Sequence, residues 1–369
     1  MNLWQRLPRS GAHWAFPTSI SSRRPRPSHN RVPRVSGVAH PSVAYGKTGI
    51  LLVNLGTPNS PDAKGLRPYL KQFLSDRRVI ETSPLIWQPI LRGIILNTRP
   101  RKSARAYAKI WHTQTDESPL RYFTRVQAEK LKARLDDTLE VEWAMRYGAP
   151  SIADKLADLK ARGCERISVI ALYPQYSAST SASVYDEVFR ALLDMRWQPA
   201  IRTAAPWHDL PAYITALAGS VRAHYKTLDW KPDILVASFH GLPQIYFDKG
   251  DPYHCHCAKT ARLLREKLKL PDTKFKTTFQ SRFGPTKWLE PYTDKTVEAL
   301  ARDGTKKIAV ITPGFVSDCV ETLEEINLEL RETFIEAGGT HFTTVPCLNE
   351  ADSAIGLLEK IAKREISGW

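Results

Sequence analysis

Short apolar runs alternate with longer amphipathic stretches along the chain from Lys47 onward. The runs are rich in β-branched residues and hold few polar positions, which is typical of parallel strands covered by helices on both faces. Eight runs are predicted as strands: residues 49–55, 141–146, 167–173, 200–203, 233–240, 275–280, 308–312 and 342–345. The alternation of strands and helices predicts an α/β fold.

The eight predicted strands divide into two groups of four that match each other. The second strands end in similar Arg-aromatic-Gly turns at 146–148 and 282–284, and the third and fourth strands of both groups end close to a proline. We therefore predict two similar Rossmann-like domains, each a four-stranded parallel sheet flanked by helices. Ligands of such sheets bind beyond the carboxyl ends of the strands, so the site is expected in a cleft between the domains.

The repeat also sets the predicted domain boundaries. Residues 47–212 form the N-terminal domain, residues 213–347 form the C-terminal domain, and residues 348–369 form a C-terminal helix that packs back on the N-terminal domain. The two halves differ between their first and second strands, where the N-terminal domain is about fifty residues longer. We assign the difference to an insertion, the lip, at about residues 66–111.

The lip contains an apolar stretch, residues 84–96, that is hydrophobic on nearly every side. Polar residues and a proline interrupt it, and it is shorter than the roughly 18 to 20 residues that a membrane-spanning helix needs. One interpretation is a helix buried against the sheet. The other is an apolar lip over the cleft, which contacts an apolar ligand or a membrane surface, with Arg99, Arg101 and Lys102 at the lipid headgroups.

The net charge of +15 raises the question of nucleic-acid binding. Residues 1–48 hold eight basic and no acidic residues, so the remainder carries only +7, and nucleic acid is not expected as a ligand. Residues 1–46 are rich in Arg, Ser and Pro without hydrophobic periodicity, which predicts a disordered basic extension. A targeting role and a contact with anionic lipid remain open for this extension.

One histidine and one acidic segment are the main candidates for chemistry. His240 ends the fifth predicted strand, where an imidazole can accept a proton or bind a metal, although many such histidines are only hydrogen-bonded. Asp318, Glu321 and Glu325 follow the seventh strand at a spacing that predicts one face of an α-helix. Asp318 as N-cap with Glu321 as its capping-box partner is the structural alternative.

Other chemistries find less support. The segment Asn54-Leu55-Gly56-Thr57-Pro58 lacks the glycine spacing of a phosphate-binding loop, and there is no Gly-x-Ser-x-Gly motif. The five cysteines are too few and too scattered for a disulfide framework. Cys255 and Cys257 lie within His254-Cys255-His256-Cys257, a weak candidate for a metal centre because adjacent residues do not readily converge on one tetrahedral ion.

Several motifs in the same order resemble those of the ferrochelatases, which insert ferrous iron into protoporphyrin IX in the last step of haem synthesis. The matching segments are LVNLGTP at 52–58, MRYG at 145–148, YPQYS at 173–177, SFHGLP at 238–243, KGDPY at 249–253, QSRFGP at 280–285 and SDCVETL at 317–323. The resemblance covers nearly the whole chain after residue 46. It implies a class II chelatase-like fold, with the porphyrin between two similar domains.

The resemblance also implies roles for individual residues. His240 and Glu321 match the catalytic and iron-binding pair, and Asp318 and Glu325 match an acidic path for metal or protons. The implied porphyrin-binding residues are Leu55, Arg99, Tyr107, Ser118, Arg146, Tyr147 and Trp288. Arg99 and Ser118 match more loosely, because the loop between Tyr107 and Ser118 is longer than in animal members.

The resemblance implies that iron is a substrate and that no cofactor is required. Ala178 stands where cluster-bearing animal members have a cysteine, and their cysteine-rich C-terminal extension is missing, so an iron–sulfur cluster is not expected. The implied partners are protoporphyrin IX, Fe²⁺ and a membrane surface, with a possible contact to the preceding enzyme, protoporphyrinogen oxidase. The expected location is cytoplasmic, peripheral on the inner face of the cytoplasmic membrane, in preference to an organelle addressed by residues 1–46.

Three alternatives remain open. A coproporphyrin III ferrochelatase would have to accommodate four carboxylates, and another class II tetrapyrrole chelatase would share the fold. A non-enzymatic porphyrin or haem carrier would need the slot but would not need His240 together with Glu321.

Overall fold

The computed structural model describes residues 43–369, so the predicted extension 1–46 lies almost entirely outside the described residues. All eight predicted strands are present. They are β1 (Lys47–Gly56), β2 (Leu139–Tyr147), β3 (Cys164–Ala171), β4 (Ala200–Thr203), β5 (Ile234–His240), β6 (Phe275–Gln280), β7 (Lys307–Ile311) and β8 (His341–Thr344). The strands therefore follow the hydrophobic pattern closely.

The strands form two parallel four-stranded sheets with equivalent orders, β2-β1-β3-β4 and β6-β5-β7-β8. The predicted fold class is confirmed. Residues 43–369 form one compact unit, and the boundaries after residues 212 and 347 stay a prediction.

Helices cover both sheets. The α-helices are α1 (Ala63–Ser75), α2 (Pro84–Ile90), α3 (Leu96–Ile110), α4 (Pro119–Lys132), α5 (Ile152–Ala161), α6 (Ser183–Leu193), α7 (Pro211–Tyr225), α8 (Gln244–Asp248), α9 (Tyr253–Leu268), α10 (Thr293–Arg302), α11 (Arg331–Glu336) and α12 (Asp352–Glu365). Three π-helical segments, Leu91–Ile95, Ala178–Ala182 and Glu321–Leu330, and one 3₁₀ turn, Asp272–Lys274, complete the described helices. We call Glu321–Leu330 the acidic π-helix.

One apolar core joins the two sheets. Ile50 and Leu52 of β1 belong to the same buried cluster as Leu235 and Phe239 of β5. Because both central strands contribute to it, the carboxyl edges of the two sheets are held at a fixed distance. This core is what fixes a site composed of residues from both halves.

Helix α12 packs against α4 and β3 of the first half of the chain, and against α7, which connects the two sheets. Leu358 and Ile361 are fully buried in the core that contains Ile50. The Arg202 guanidinium of β4 donates to the backbone carbonyls of Glu365 and Ser367 beyond it. The helix thus completes the hydrophobic core that joins the two sheets.

The carboxyl end of β1 requires glycine. Gly56 has φ +120°, and a Cβ atom there would lie 1.9 Å from the backbone oxygen of Tyr147 on β2. Only glycine allows this approach and this backbone angle. Gly56 is therefore a structural requirement of the sheet edge.

The lip is exposed on its outer side. Leu85, Ile86 and Ile94 are 88%, 62% and 58% exposed, and α2 has no buried residue. The interpretation of residues 84–96 as a buried helix is therefore wrong for α2, whereas Leu91 and Leu96 after it are buried in the apolar cluster that contains Tyr147 of β2. On the inner side, the Trp87 indole N–H donates to the backbone oxygen of Leu74 at 2.7 Å. None of the helices formed by residues 43–369 is both long enough and apolar enough to cross a membrane.

Candidate active site

His240 is the final residue of β5, at the carboxyl edge of the second sheet. Its Nδ1 lies 2.6 Å from the backbone oxygen of Gly241, and a carbonyl oxygen can only accept, so Nδ1 carries the hydrogen. The tautomer therefore leaves the Nε2 lone pair free to accept a proton or bind a metal. The Tyr253 hydroxyl donates to the His240 backbone oxygen at 2.9 Å and fixes the strand end.

The acidic π-helix differs from the predicted α-helix. Its i→i+5 hydrogen bonds bring residues four to five apart above one another, so Glu321 and Glu325 share a side, while Asp318 precedes the helix. The capping-box alternative is wrong. Val320 occupies the N-cap position, and Asp318 instead accepts from the Thr322 hydroxyl at 2.8 Å and the Asn349 amide at 2.6 Å.

The pKa of the Glu325 carboxyl responds both to His240 and to other residues of the acidic π-helix. Burial raises the pKa of the Glu325 carboxyl above its usual value, the hydrogen bond from Ser281 and the charge of His240 oppose that rise, and the charge of Glu321 adds to it. The Gln280 amide donates to the Glu321 backbone oxygen at 3.1 Å, which ties the helix to the end of β6. A proton acceptor and two carboxyl groups thus meet at one sheet edge.

Tyrosines of the first half face this edge. Burial, and after it the nearby charge of Glu321, raises the pKa of Tyr69 on α1. Tyr107 on α3 is likewise buried with a raised pKa, to which Tyr69 and Glu321 both contribute. Leu55 and Val320 pack against the apolar cluster that contains both tyrosines, which we call the lip cluster. The predicted residues Leu55 and Tyr107 therefore lie beside the start of the acidic π-helix.

Arg146 and Tyr147, predicted porphyrin-binding residues, are engaged in a buried polar network. The Arg146 guanidinium donates to Asp76 at 2.7 Å and to the Ser183 hydroxyl at 2.7 Å, and the Tyr147 hydroxyl donates to Asp76 at 2.8 Å. Burial alone would raise the pKa of Asp76, but its hydrogen bonds and the charge of Arg146 hold that pKa below its usual value. Sequence reasoning missed Asp76, which follows an ordinary amphipathic helix with no distinguishing pattern.

The three other predicted porphyrin residues have different surroundings. The Ser118 hydroxyl caps α4 by accepting from the Arg121 backbone N–H at 3.2 Å, and the side chain is buried. The Arg99 guanidinium lies 3.9 Å from the centre of the Phe283 ring, and burial lowers its pKa. The Trp288 indole N–H donates to the Phe283 backbone oxygen at 2.8 Å. Arg99 and Trp288 therefore meet at one loop, and Ser118 does not join them.

The histidine and cysteine motif is spread around α9. Cys255 is exposed, Cys257 is buried, and the His256 ring stacks on His208 with centroids 3.7 Å apart. His256 Nδ1 accepts from the Tyr176 backbone N–H at 3.2 Å. Within residues 43–369, no group of three or more His, Cys, Asp and Glu side chains has the geometry of a metal site.

An open cavity of about 1190 Å³ adjoins the site. It is lined by Tyr69, Asp76, Arg77, Arg146 and Lys249, among others, but not by His240 or Glu321. Its polar lining carries more basic than acidic side chains. Tyr69 lines the cavity, and the charge of Glu321 also contributes to its raised pKa. Tyr69 therefore lies between this cavity and the acidic π-helix.

Comparisons with known proteins agree on one family. The family model for ferrochelatase matches residues 47–366. The chain is 58% identical over 332 residues to the ferrochelatases of Rhizobium etli and Agrobacterium fabrum, covering 89% of this chain and 96% of each relative. It is 55% identical over 325 residues to the ferrochelatase of Nitrobacter hamburgensis, covering 88% of this chain and 94% of that protein.

Solved structures support the fold. SirB from Bacillus subtilis with Fe³⁺ superimposes with a TM-score of 0.53 at 13% identity, covering 87% of this chain and 96% of SirB. The sirohydrochlorin chelatase SirB from the subspecies spizizenii, in complex with cobalt, gives a TM-score of 0.51 at 11% identity with the same coverage. At these identities the likeness concerns the fold alone. The family model and the sequence relatives decide the assignment: the chain belongs to the ferrochelatase family.

Proposed function

We propose that this chain is a ferrochelatase that inserts Fe²⁺ into protoporphyrin IX and releases two protons. The observation that carries the proposal is the free Nε2 of His240 together with the Glu325 carboxyl, which is close to the charges of both His240 and Glu321. The arrangement joins a proton acceptor to hard oxygen ligands at the carboxyl edge of the second sheet. Both are needed, because the macrocycle must lose two protons as it gains a divalent ion.

His240 is the proposed acceptor of pyrrole protons. Its Nδ1–H is held by the Gly241 carbonyl, so Nε2 is the atom that receives the proton, and the resulting cation is stabilised by the nearby carboxylates. Glu325, Glu321 and Asp318 would then conduct the proton or the iron along the acidic π-helix. A carboxyl group whose pKa is raised, as in Glu325, can take up and release a proton closer to neutral pH.

Residues of both halves would form the porphyrin slot. Leu55 and Tyr107 supply apolar surface beside Glu321, and Trp288 supplies an aromatic ring near His240, since a Cβ on Gly241 would lie 3.3 Å from its Cε3. Arg99 offers a cation for a propionate. Arg146 and Tyr147 would act through the network with Asp76, at the edge of the cavity.

The lip is the proposed membrane contact. The outward side chains of Leu85, Ile86, Ile90 and Ile94, here the exposed lip face, form an apolar surface with Arg92 beside it. Apolar side chains with neighbouring basic residues suit the boundary between acyl chains and anionic headgroups. We propose a peripheral position on the inner face of the cytoplasmic membrane, where the oxidase that makes protoporphyrin could deliver it.

Anaerobic metallation tests the function. The wild-type protein is mixed with Fe²⁺ and protoporphyrin IX, coproporphyrin III or sirohydrochlorin, and the change in the Soret band is followed. Preference for protoporphyrin is expected. Preference for either other tetrapyrrole would support that chelatase instead, and tight porphyrin binding without metallation would support a carrier.

Replacement of His240 tests the mechanism. His240→Ala removes the proton acceptor, so turnover is expected to fall at least about a hundredfold while the circular dichroism spectrum is unchanged. His341→Ala, an exposed histidine of β8, is the matched control and should keep wild-type turnover. Near-normal turnover of His240→Ala contradicts the proposed role.

A further inference from the structure

Glu324 is a buried carboxylate of the acidic π-helix with a partner in the lip. It lies between Glu321 and Glu325 in sequence, and only 7% of its surface is exposed. The Lys109 ammonium of α3 lies 2.8 Å from its Oε1. The pair therefore bridges the lip and the helix that carries the two candidate catalytic carboxyl groups.

The burial of Glu324 makes this pair consequential. A carboxylate removed from water is costly unless a cation or several hydrogen bonds compensate for it. Lys109 is the cation at Glu324 in the described part of the chain, and its own side chain is half exposed. Movement of the lip away from the helix would leave the Glu324 carboxylate buried without its counter-ion. The position of the lip and the conformation of the helix are therefore linked.

The other hydrogen bonds that side chains of the rest of the chain make with the acidic π-helix come from the second half. Gln280 donates to the backbone oxygen of Glu321, the Ser281 hydroxyl donates to Glu325, and the Thr344 hydroxyl donates to Asn327. These contacts hold the helix to its own sheet. Among these hydrogen bonds, only the one from Lys109 ties the helix to the first half, which otherwise meets it through the packing of the lip cluster.

We infer that the Lys109–Glu324 ion pair is a positioning contact that couples the lip to the orientation of Glu321 and Glu325. The inference rests on the proposed function for its catalytic consequence. π-helical geometry is uncommon and depends on contacts with the rest of the fold. One contact at the side of the helix can therefore determine whether this geometry is kept. Tyr107 lies two residues before Lys109 on α3 and belongs to the lip cluster. Val320, just before the acidic π-helix, packs against the same cluster. A porphyrin that contacts the lip would therefore also affect the position of this helix.

Steady-state kinetics with a set of charge variants test the inference. Lys109→Met is expected to lower kcat at least tenfold and to leave KM for porphyrin within twofold, because the slot is unchanged. Lys109→Arg should keep most of the activity. The exchange variant, Lys109→Glu with Glu324→Lys, should recover kcat to within about fivefold of wild type.

The neutral double variant, Lys109→Met with Glu324→Gln, separates positioning from stability. It buries no unpaired charge and should fold, yet kcat should remain low because the link is missing. Recovery of wild-type kcat in this variant would overturn the inference. Lys363→Met, which removes an exposed ion pair with Glu359 on α12, is the matched control and should behave as wild type.

Hydrogen–deuterium exchange supplies a readout that does not depend on activity. The backbone amides of residues 321–330 should exchange at least fivefold faster in Lys109→Met than in wild type, while those of α12 are unchanged. Equal exchange overturns the coupling. If the wild-type protein metallates no porphyrin, the proposed function fails, and the exchange result still decides whether the lip supports the helix.

Discussion

At the scale of single residues, the stacked imidazoles of His208 and His256 show how burial sets protonation. His208 follows β4, is 8% exposed, and its Nδ1 has no hydrogen-bond partner among the described residues. Burial first, and then the adjacent His256, lowers its pKa to about 4. Asp209 opposes this effect and Lys259 adds to it. The folded protein therefore holds His208 neutral at pH 7.

Acid should weaken the fold through this residue. The unfolded chain binds a proton at the ordinary value near 6.5 and the folded chain only near 4, so stability is lost as the pH falls through that window. The slope is at most about 1.4 kcal/mol per pH unit for one proton. His208→Phe keeps an aromatic ring and should flatten the dependence in urea unfolding at pH 7.5, 6 and 5. An unchanged slope contradicts the prediction.

The candidate site could be predicted residue by residue only in part. His240 was identifiable because it interrupts an apolar strand at its carboxyl end, and Glu321 because acidic residues cluster after β7. Asp76 and Lys109 carry no such signal. Asp76 follows an ordinary amphipathic helix and Lys109 lies on one, and the importance of each arises from a partner far away in sequence, Arg146 or Glu324.

At the scale of elements, the strands were predictable and the acidic π-helix was not. The spacing of apolar positions along the chain distinguishes strands from helices, but it does not show whether a helix has hydrogen bonds from residue i to residue i+5. That geometry depends on tertiary contacts such as the hydrogen bond of Ser281 with Glu325. The lip shows the same limit. A segment that is apolar on all sides does not reveal which side is exposed, and α2 leaves most of its surface uncovered.

The close approach of Gly56 on β1 to the Tyr147 backbone on β2 predicts a large loss of stability when Gly56 is replaced. Gly56→Ala should destabilise the protein by roughly 3 kcal/mol, because the added Cβ collides with the Tyr147 backbone and the positive φ is strained. Gly93→Ala, in a helical segment with nothing within 4 Å, is the control and should raise the free energy of unfolding by about 0.5 to 1 kcal/mol. Urea unfolding of both variants measures the difference. A loss below about 1 kcal/mol for Gly56→Ala contradicts this view of the sheet edge.

At the scale of the whole molecule, apolar surface is unevenly distributed. The exposed lip face lies on α2 and the π-helical segment that follows it, whereas Phe189 and Leu193 form a smaller apolar spot on α6. An apolar surface next to basic residues is the kind that marks an interaction site. The lip combines both features at the entrance to the proposed slot.

Vesicle binding tests the role of the lip. Leu85→Ser with Ile86→Ser removes apolar surface without touching the site, and should reduce co-sedimentation with anionic phospholipid vesicles at least fivefold. Leu193→Ser, which is 80% exposed on α6, is the matched control and should bind as wild type. Equal binding by the lip variant would exclude the exposed lip face as the membrane contact.

The packing of α12 has a consequence for biosynthesis. The ribosome makes this helix after every other described element, yet Leu358 and Ile361 fill the core around Ile50 of the first strand. During synthesis, the apolar surface that α12 covers therefore stays exposed until α12 has left the exit tunnel. Because the same core joins both sheets, its packing is complete only when the last described helix is in place.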